Sequence, residues 1–195
     1  MMVAVTRSRT ALTAVLVVSV LALGACSGSD PEPKFADPTP SQPTSPSTTA
    51  VSGPVEPTMP AAAQGTDAAA AEAFVRFYWE MADYAQATGD LGGLRALSPA
   101  GCEACQQVLH FLESVRERDG HIRGGATEVT ATSTAPVGDD GNLLVVRYDL
   151  RNTHQVVDLP GTNRDEEYEA GTIHLETILR SSPGGWRIEY WDKRQ

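Results

Sequence analysis

Residues 124–151 read GGATEVTATSTAPVGDDGNLLVVRYDLR, and in this stretch the hydrophobic period becomes two. Val129, Ala131, Ser133 and Ala135 alternate with Glu128, Thr130, Thr132 and Thr134. After Gly138-Asp139-Asp140-Gly141, Leu144, Val146, Tyr148 and Leu150 alternate with Val145, Arg147, Asp149 and Arg151. A period of two sends successive side chains to opposite faces of a strand. A Gly/Asp cluster between two such runs is a hairpin turn. The stretch predicts two antiparallel strands, each with one inward row.

Towards the C-terminus the pattern repeats. A loop with Pro160-Gly161 and an acidic run (Asp165, Glu166, Glu167, Glu169) intervenes. Ile173, Leu175, Thr177 and Leu179 then alternate with His174, Glu176, Ile178 and Arg180. Ser182-Pro183-Gly184-Gly185 turns the chain, and Trp186, Ile188 and Tyr190 oppose Arg187, Glu189 and Trp191. The alternation predicts Tyr190 inside and Trp191 exposed.

Towards the N-terminus the period is helical. Ala70, Phe74, Phe77, Met81 and Tyr84 recur every three or four residues, with Tyr78 and Ala85 widening the stripe. Thr66 or Asp67 can cap this helix over Ala68 to Ala87, and Gly89 can end it in the left-handed conformation. Leu91, Leu94 and Leu97 make a short second helix. Ser98 as N-cap and Pro99 at the first helical position open a third, with Cys102, Cys105, Leu109 and Leu112 on one face. Helices followed by hairpin-linked strands give an α+β class: N-terminal helices packed on a curved four-stranded antiparallel sheet.

Before this domain, expected over residues 67–195, lie an address and a tether. Arg7 and Arg9 precede an uncharged apolar stretch from Ala11 to Ala25, which is the layout of a secretory signal and is short for a membrane span. The stretch ends Leu23-Gly24-Ala25-Cys26. This resembles a bacterial lipobox, which implies removal of residues 1–25 and acyl chains, such as palmitate, on Cys26. Several chains on one residue suffice for stable anchoring. Residues 26–66 are rich in Pro, Ser, Thr and Ala, have no hydrophobic period, and are expected to form a disordered spacer. The expected location is the extracytoplasmic face of a membrane, held by lipid.

The whole chain has 195 residues with 15 basic and 25 acidic side chains, a net charge of −10. Nucleic-acid binding needs a basic stripe, so this balance argues against it. Three cysteines cannot all pair within one chain. With Cys26 given to lipid, Cys102-Glu103-Ala104-Cys105 is left. A disulfide, a thiol redox pair and a metal site all use such a spacing. Export favours the disulfide, the strand-helix setting of a thioredoxin motif is missing, and no second ligand pair completes a zinc site.

Residues 71–125, AEAFVRFYWEMADYAQATGDLGGLRALSPAGCEACQQVLHFLESVRERDGHIRGG, resemble an actinobacterial lipoprotein family described as domain of unknown function 6318. The resemblance extends over the lipobox, the proline-rich spacer and the late Gly184-Gly185-Trp186. It implies an anchored envelope protein and supplies no activity and no cofactor. Helices followed by a sheet ending GGWRIEYW are also similar to the nuclear transport factor 2 and cystatin type of cone. Such cones host enzymes and binding modules alike, so the fold selects no function.

Residue chemistry leaves a short set of candidates. His154 falls on the alternation row of Tyr148 and Leu150, and with Tyr78, Tyr148 and Tyr190 it could line a polar pocket inside the cone. A histidine and a carboxylate in such a pocket can act as acid and base. No HExxH, GxSxG, P-loop or dinucleotide fingerprint occurs. The sequence therefore favours a non-catalytic binding or scaffolding module with an envelope or cell-wall partner. A small cone-type enzyme and a thiol-disulfide protein are the alternatives. No metal ligand set is expected.

Overall fold

The computed structural model describes residues 53–139, 141–162 and 165–194. The chain divides into two units, Met1–Thr48 and Thr49–Gln195. The signal segment, Cys26 and most of the expected spacer lie outside the described residues.

In the described part of the spacer one residue, Ala63, is buried. Ala61–Gln64 form one 3-10 turn, and Ala63 is buried against the first helix. Small alanine side chains let this turn approach closely, and its only helical period is a single turn. The fold therefore starts before Asp67.

Helix α1 runs Ala68–Thr88. Asp67 caps it by accepting the Ala70 amide proton at 2.8 Å, and Gly89 ends it at φ 74°. Its apolar stripe, from Ala70 through Phe74, Phe77, Tyr78 and Met81 to Ala85, is buried. Helix α2 spans Gly92–Leu97 and α3 spans Glu103–Glu117. The expected start of α3 at Ser98-Pro99 is corrected. Ser98 closes α2, and the cap of α3 is Cys102, whose sulfur accepts the Cys105 amide proton at 3.2 Å. A turn from Pro99 to Cys102 comes first, closed by the Cys102 N–H on the Pro99 carbonyl.

The main sheet has four antiparallel strands in the order β2-β3-β6-β7: Thr127–Pro136, Leu143–Asn152, Gly171–Ser182 and Gly185–Lys193. A second sheet of three short strands, β1-β4-β5, joins His121–Gly124, Gln155–Asp158 and Glu166–Tyr168. The second sheet was not expected. Its strands are three or four residues long, too short to display a period. They are held by a satellite core of Val115, Val157 and Leu159, with Phe111 and Ile122 against it.

Two bulges correct the strand faces. On β2 the pairing shifts between Thr130 and Ser133, with Ala131 at φ 49°. Beyond the bulge, Thr132 and Thr134 turn towards α1, where both hydroxyls donate to the Glu72 carboxylate at 2.6 and 2.9 Å. Ala131 and Ser133 are exposed, not inward. On β7 Tyr190 pairs with Ile178 while Ile188 pairs with Leu179, so Glu189 is the extra residue. One inserted residue reverses every later side chain. Trp191 therefore turns inward and packs edge-on against Trp79, and Tyr190 points outward with 44% exposure.

Candidate functional site

The interior between α1 and the main sheet is filled by side chains of both. Tyr148 on β3 is fully buried there. Its phenolic oxygen receives the Trp79 indole N–H at 2.9 Å and lies 3.0 Å from the Thr177 hydroxyl. Burial pushes the Tyr148 phenol up to about 12, against the opposing effect of the Thr177 and Trp79 contacts. The group is a neutral, satisfied bridge across the core.

Tyr78 lies nearby and is also buried. Burial raises its phenol, and the neighbouring Ser98 and Trp191 side chains oppose the shift. The Tyr78 hydroxyl, the Ser98 hydroxyl and the Trp191 indole N–H are nevertheless buried outside hydrogen-bonding geometry. No histidine among the described residues faces this interior. Two carboxylates of α1 tie the helix to β2: Asp83 accepts the Thr127 N–H at 2.8 Å and is raised by burial, while Glu72 accepts from Thr132 and Thr134.

The four pocket candidates are thus dispersed. Tyr78 and Tyr148 are core residues, and Tyr190 is on the outer face of the sheet. His154 is corrected from an inward position. Strand β3 ends at Asn152, so the alternation does not reach it. Its Nε2 lies 3.4 Å from Glu167 Oε2 on β5, and the ring is about half exposed. His154 lines an open cleft of 680 Å³ at the end of the main sheet, beside Glu128 and Arg151. A second groove, of 630 Å³, lies between the C-terminal ends of α1 and α3 and strand β1.

The outer face of the main sheet carries one row that crosses all four strands. Ala135 pairs with Val145, Val145 with Ile178, and Ile178 with Tyr190. Ion pairs flank the row: Arg147 to Glu176 at 3.3 Å on one side, and Arg180 and Arg187 to Glu189 at 2.8 and 2.5 Å on the other. Within the row Val145 is buried, Ala135 and Ile178 are half-buried, and Tyr190 on the edge strand is exposed. The alternation predicts Tyr190 inside because the bulge at Glu189 leaves no mark in it.

Cys102 and Cys105 stand at disulfide distance, with Cα atoms 5.2 Å apart, and both are buried. Among the described residues no group of three or more His, Cys, Asp and Glu side chains could hold a metal ion. None of the described helices is long and apolar enough to cross a membrane.

A family model described as a family of unknown function (DUF6318) matches residues 42–190. No curated protein matches the chain in sequence. Among solved structures, the intermembrane space region of chloroplast protein ARC6 is similar at 15% identity, with a TM-score of 0.51, over 65% of this chain and 95% of that one. An NTF2-like superfamily protein from Salmonella enterica serovar Typhimurium shares 13% identity at a TM-score of 0.40, covering 63% of this chain and 89% of that one. An NTF2-like protein with a cystatin-like fold from Novosphingobium aromaticivorans shares 14% at 0.35, covering 61% and 77%. The likeness to the ARC6 region is one of fold alone.

Proposed function

The chain belongs to the family of unknown function DUF6318, and from that premise we propose that it is a lipid-anchored binding module at the extracytoplasmic face of a membrane. Lipid on Cys26 holds it, and the partner docks on the outer face of the main sheet. The observation that carries this reading is the Tyr148 bridge to Trp79 and Thr177, which occupies the interior where a cone-type enzyme would keep its substrate. The outer row ending in Tyr190 supports the choice of surface, since it presents an exposed tyrosine, a side chain enriched at interfaces, beside ion pairs. The lipobox-like Leu23-Gly24-Ala25-Cys26 supports the anchor.

Two measurements test it. Cys26→Ser should move the protein from the membrane to the soluble fraction. A photo-crosslinking residue at position 190 should capture a discrete envelope partner that the same probe at the exposed Glu103 does not. Equal capture at both positions would reject the docking surface, and membrane retention of the Cys26 variant would reject the anchor.

A further inference from the structure

The cleft at the end of the main sheet has a feature that the docking surface does not use. Glu128 and Arg151 are register partners on β2 and β3, and both side chains line the cleft. Opposite charges facing each other across two strands ordinarily close on one another. Another such pair on this sheet does so: Arg147 meets its partner Glu176 at 3.3 Å. Glu128 and Arg151 do not meet. Among the described residues neither side chain has an ion pair or a hydrogen bond, and both residues are exposed. The open pair is the one bordering a cleft.

The surroundings are fixed and spacious. Thr127 is held by Asp83 through its backbone N–H and its hydroxyl. The Asn152 amide donates to the Thr153 and Glu169 carbonyls at 3.2 and 3.1 Å. His154 is engaged by Glu167 at 3.4 Å. Ala126, Ala170 and Gly171 also line the cleft, and their small side chains leave room. Its 680 Å³ lies within the usual range of small-ligand sites.

We propose that this cleft binds a small zwitterion of the amino-acid or short-peptide class, with its carboxylate on Arg151 and its ammonium on Glu128. A guanidinium fork matches a carboxylate in bidentate geometry, and a carboxylate accepts from an ammonium. A ligand with only one of these charges leaves the other protein group without a partner. Because both groups are hydrated before binding, affinity rests on the match of two charges, and a dissociation constant on the order of millimolar is expected. The inference is independent of the docking surface and of the lipid anchor.

The test uses the full chain in detergent micelles and three probes: glycylglycine, N-acetyl-glycylglycine and glycylglycinamide. Glycylglycine should give saturable amide shifts over residues 126–128, 151–154 and 170–172. Each capped probe should bind about tenfold more weakly, a loss of one charge contact. Arg151→Gln should abolish the preference for glycylglycine over glycylglycinamide. Glu128→Gln should abolish the preference over N-acetyl-glycylglycine. Both positions are exposed, so unchanged shifts elsewhere serve as the check on folding. No saturable shift, equal binding of the three probes, or shifts confined to another region would each overturn the proposal. The crosslinking outcome at position 190 is unaffected by any of them.

Discussion

The phenolic oxygen of Tyr148 lies 2.9 Å from the indole nitrogen of Trp79 and 3.0 Å from the Thr177 hydroxyl, joining α1 to two neighbouring strands at the centre of the core. Removing that oxygen would strand a buried indole N–H and a buried hydroxyl. Tyr148→Phe should therefore cost about 1–3 kcal/mol, as expected for unsatisfied buried groups. Urea unfolding should show a lower midpoint with an unchanged slope.

The same residue predicts an alkaline limit. The folded phenol is raised from 10.0 to about 12 by burial. An acid raised on folding disfavours the folded state once it ionises. Its contribution is thus fully present below pH 10 and is lost as pH rises through about 12. Stability measured between those values should fall more steeply for the native chain than for Tyr148→Phe.

Asp83 carries the same sign at the other end of the scale. Burial raises its carboxyl, against the Thr127 contacts, and Glu80 adds to the rise. The protonated form is the one the fold prefers. Its contribution is greatest below the ordinary carboxylate range and is lost as pH rises through the raised value. Asp83→Asn keeps an acceptor for the Thr127 N–H, so the difference in stability between variant and native chain should grow in the variant's favour from acid to neutral pH. A difference that is flat across this range would contradict the assignment.

Ala131 holds φ 49° at the β2 bulge, a region costly for any residue with a Cβ. Ala131→Gly relieves that cost but frees the unfolded chain, leaving a net gain of about 0.5 kcal/mol. Thermal melts should show a small rise. Ala131→Val should be destabilising, because β-branching suits this conformation still less.

The Cys102–Cys105 bridge closes a very short loop and is buried at the cap of α3. In the chain-entropy picture such a loop contributes about 2 kcal/mol. The double substitution Cys102→Ser/Cys105→Ser should lower the unfolding free energy by about this much. Amide exchange should quicken most over Cys102 to Gln106.

Long periodic segments were legible because their signal repeats. The buried face of α1, the inward rows of β3 and β6, and the hairpin at Gly138 all rest on four or more agreeing residues. The second sheet was not legible, because Gln155–Asp158 and Glu166–Tyr168 are too short to carry a period. The candidate site suffered most. The alternation carries His154 and Tyr190 inward, but β3 ends at Asn152 before His154 and a one-residue bulge at Glu189 turns Tyr190 outward.

The order of residues alone encodes the α+β class, the capped amphipathic α1 and an acidic balance unsuited to nucleic acid. These depend on local propensity and on burial of one face, which the order of residues encodes directly. Packing of the folded chain is what fills the interior with Tyr148, turns Tyr190 outward, and leaves the Glu128 and Arg151 side chains apart at one cleft. Those outcomes depend on register between strands distant in sequence. A bulge changes that register by one residue without altering the hydrophobic content from which the strands were read.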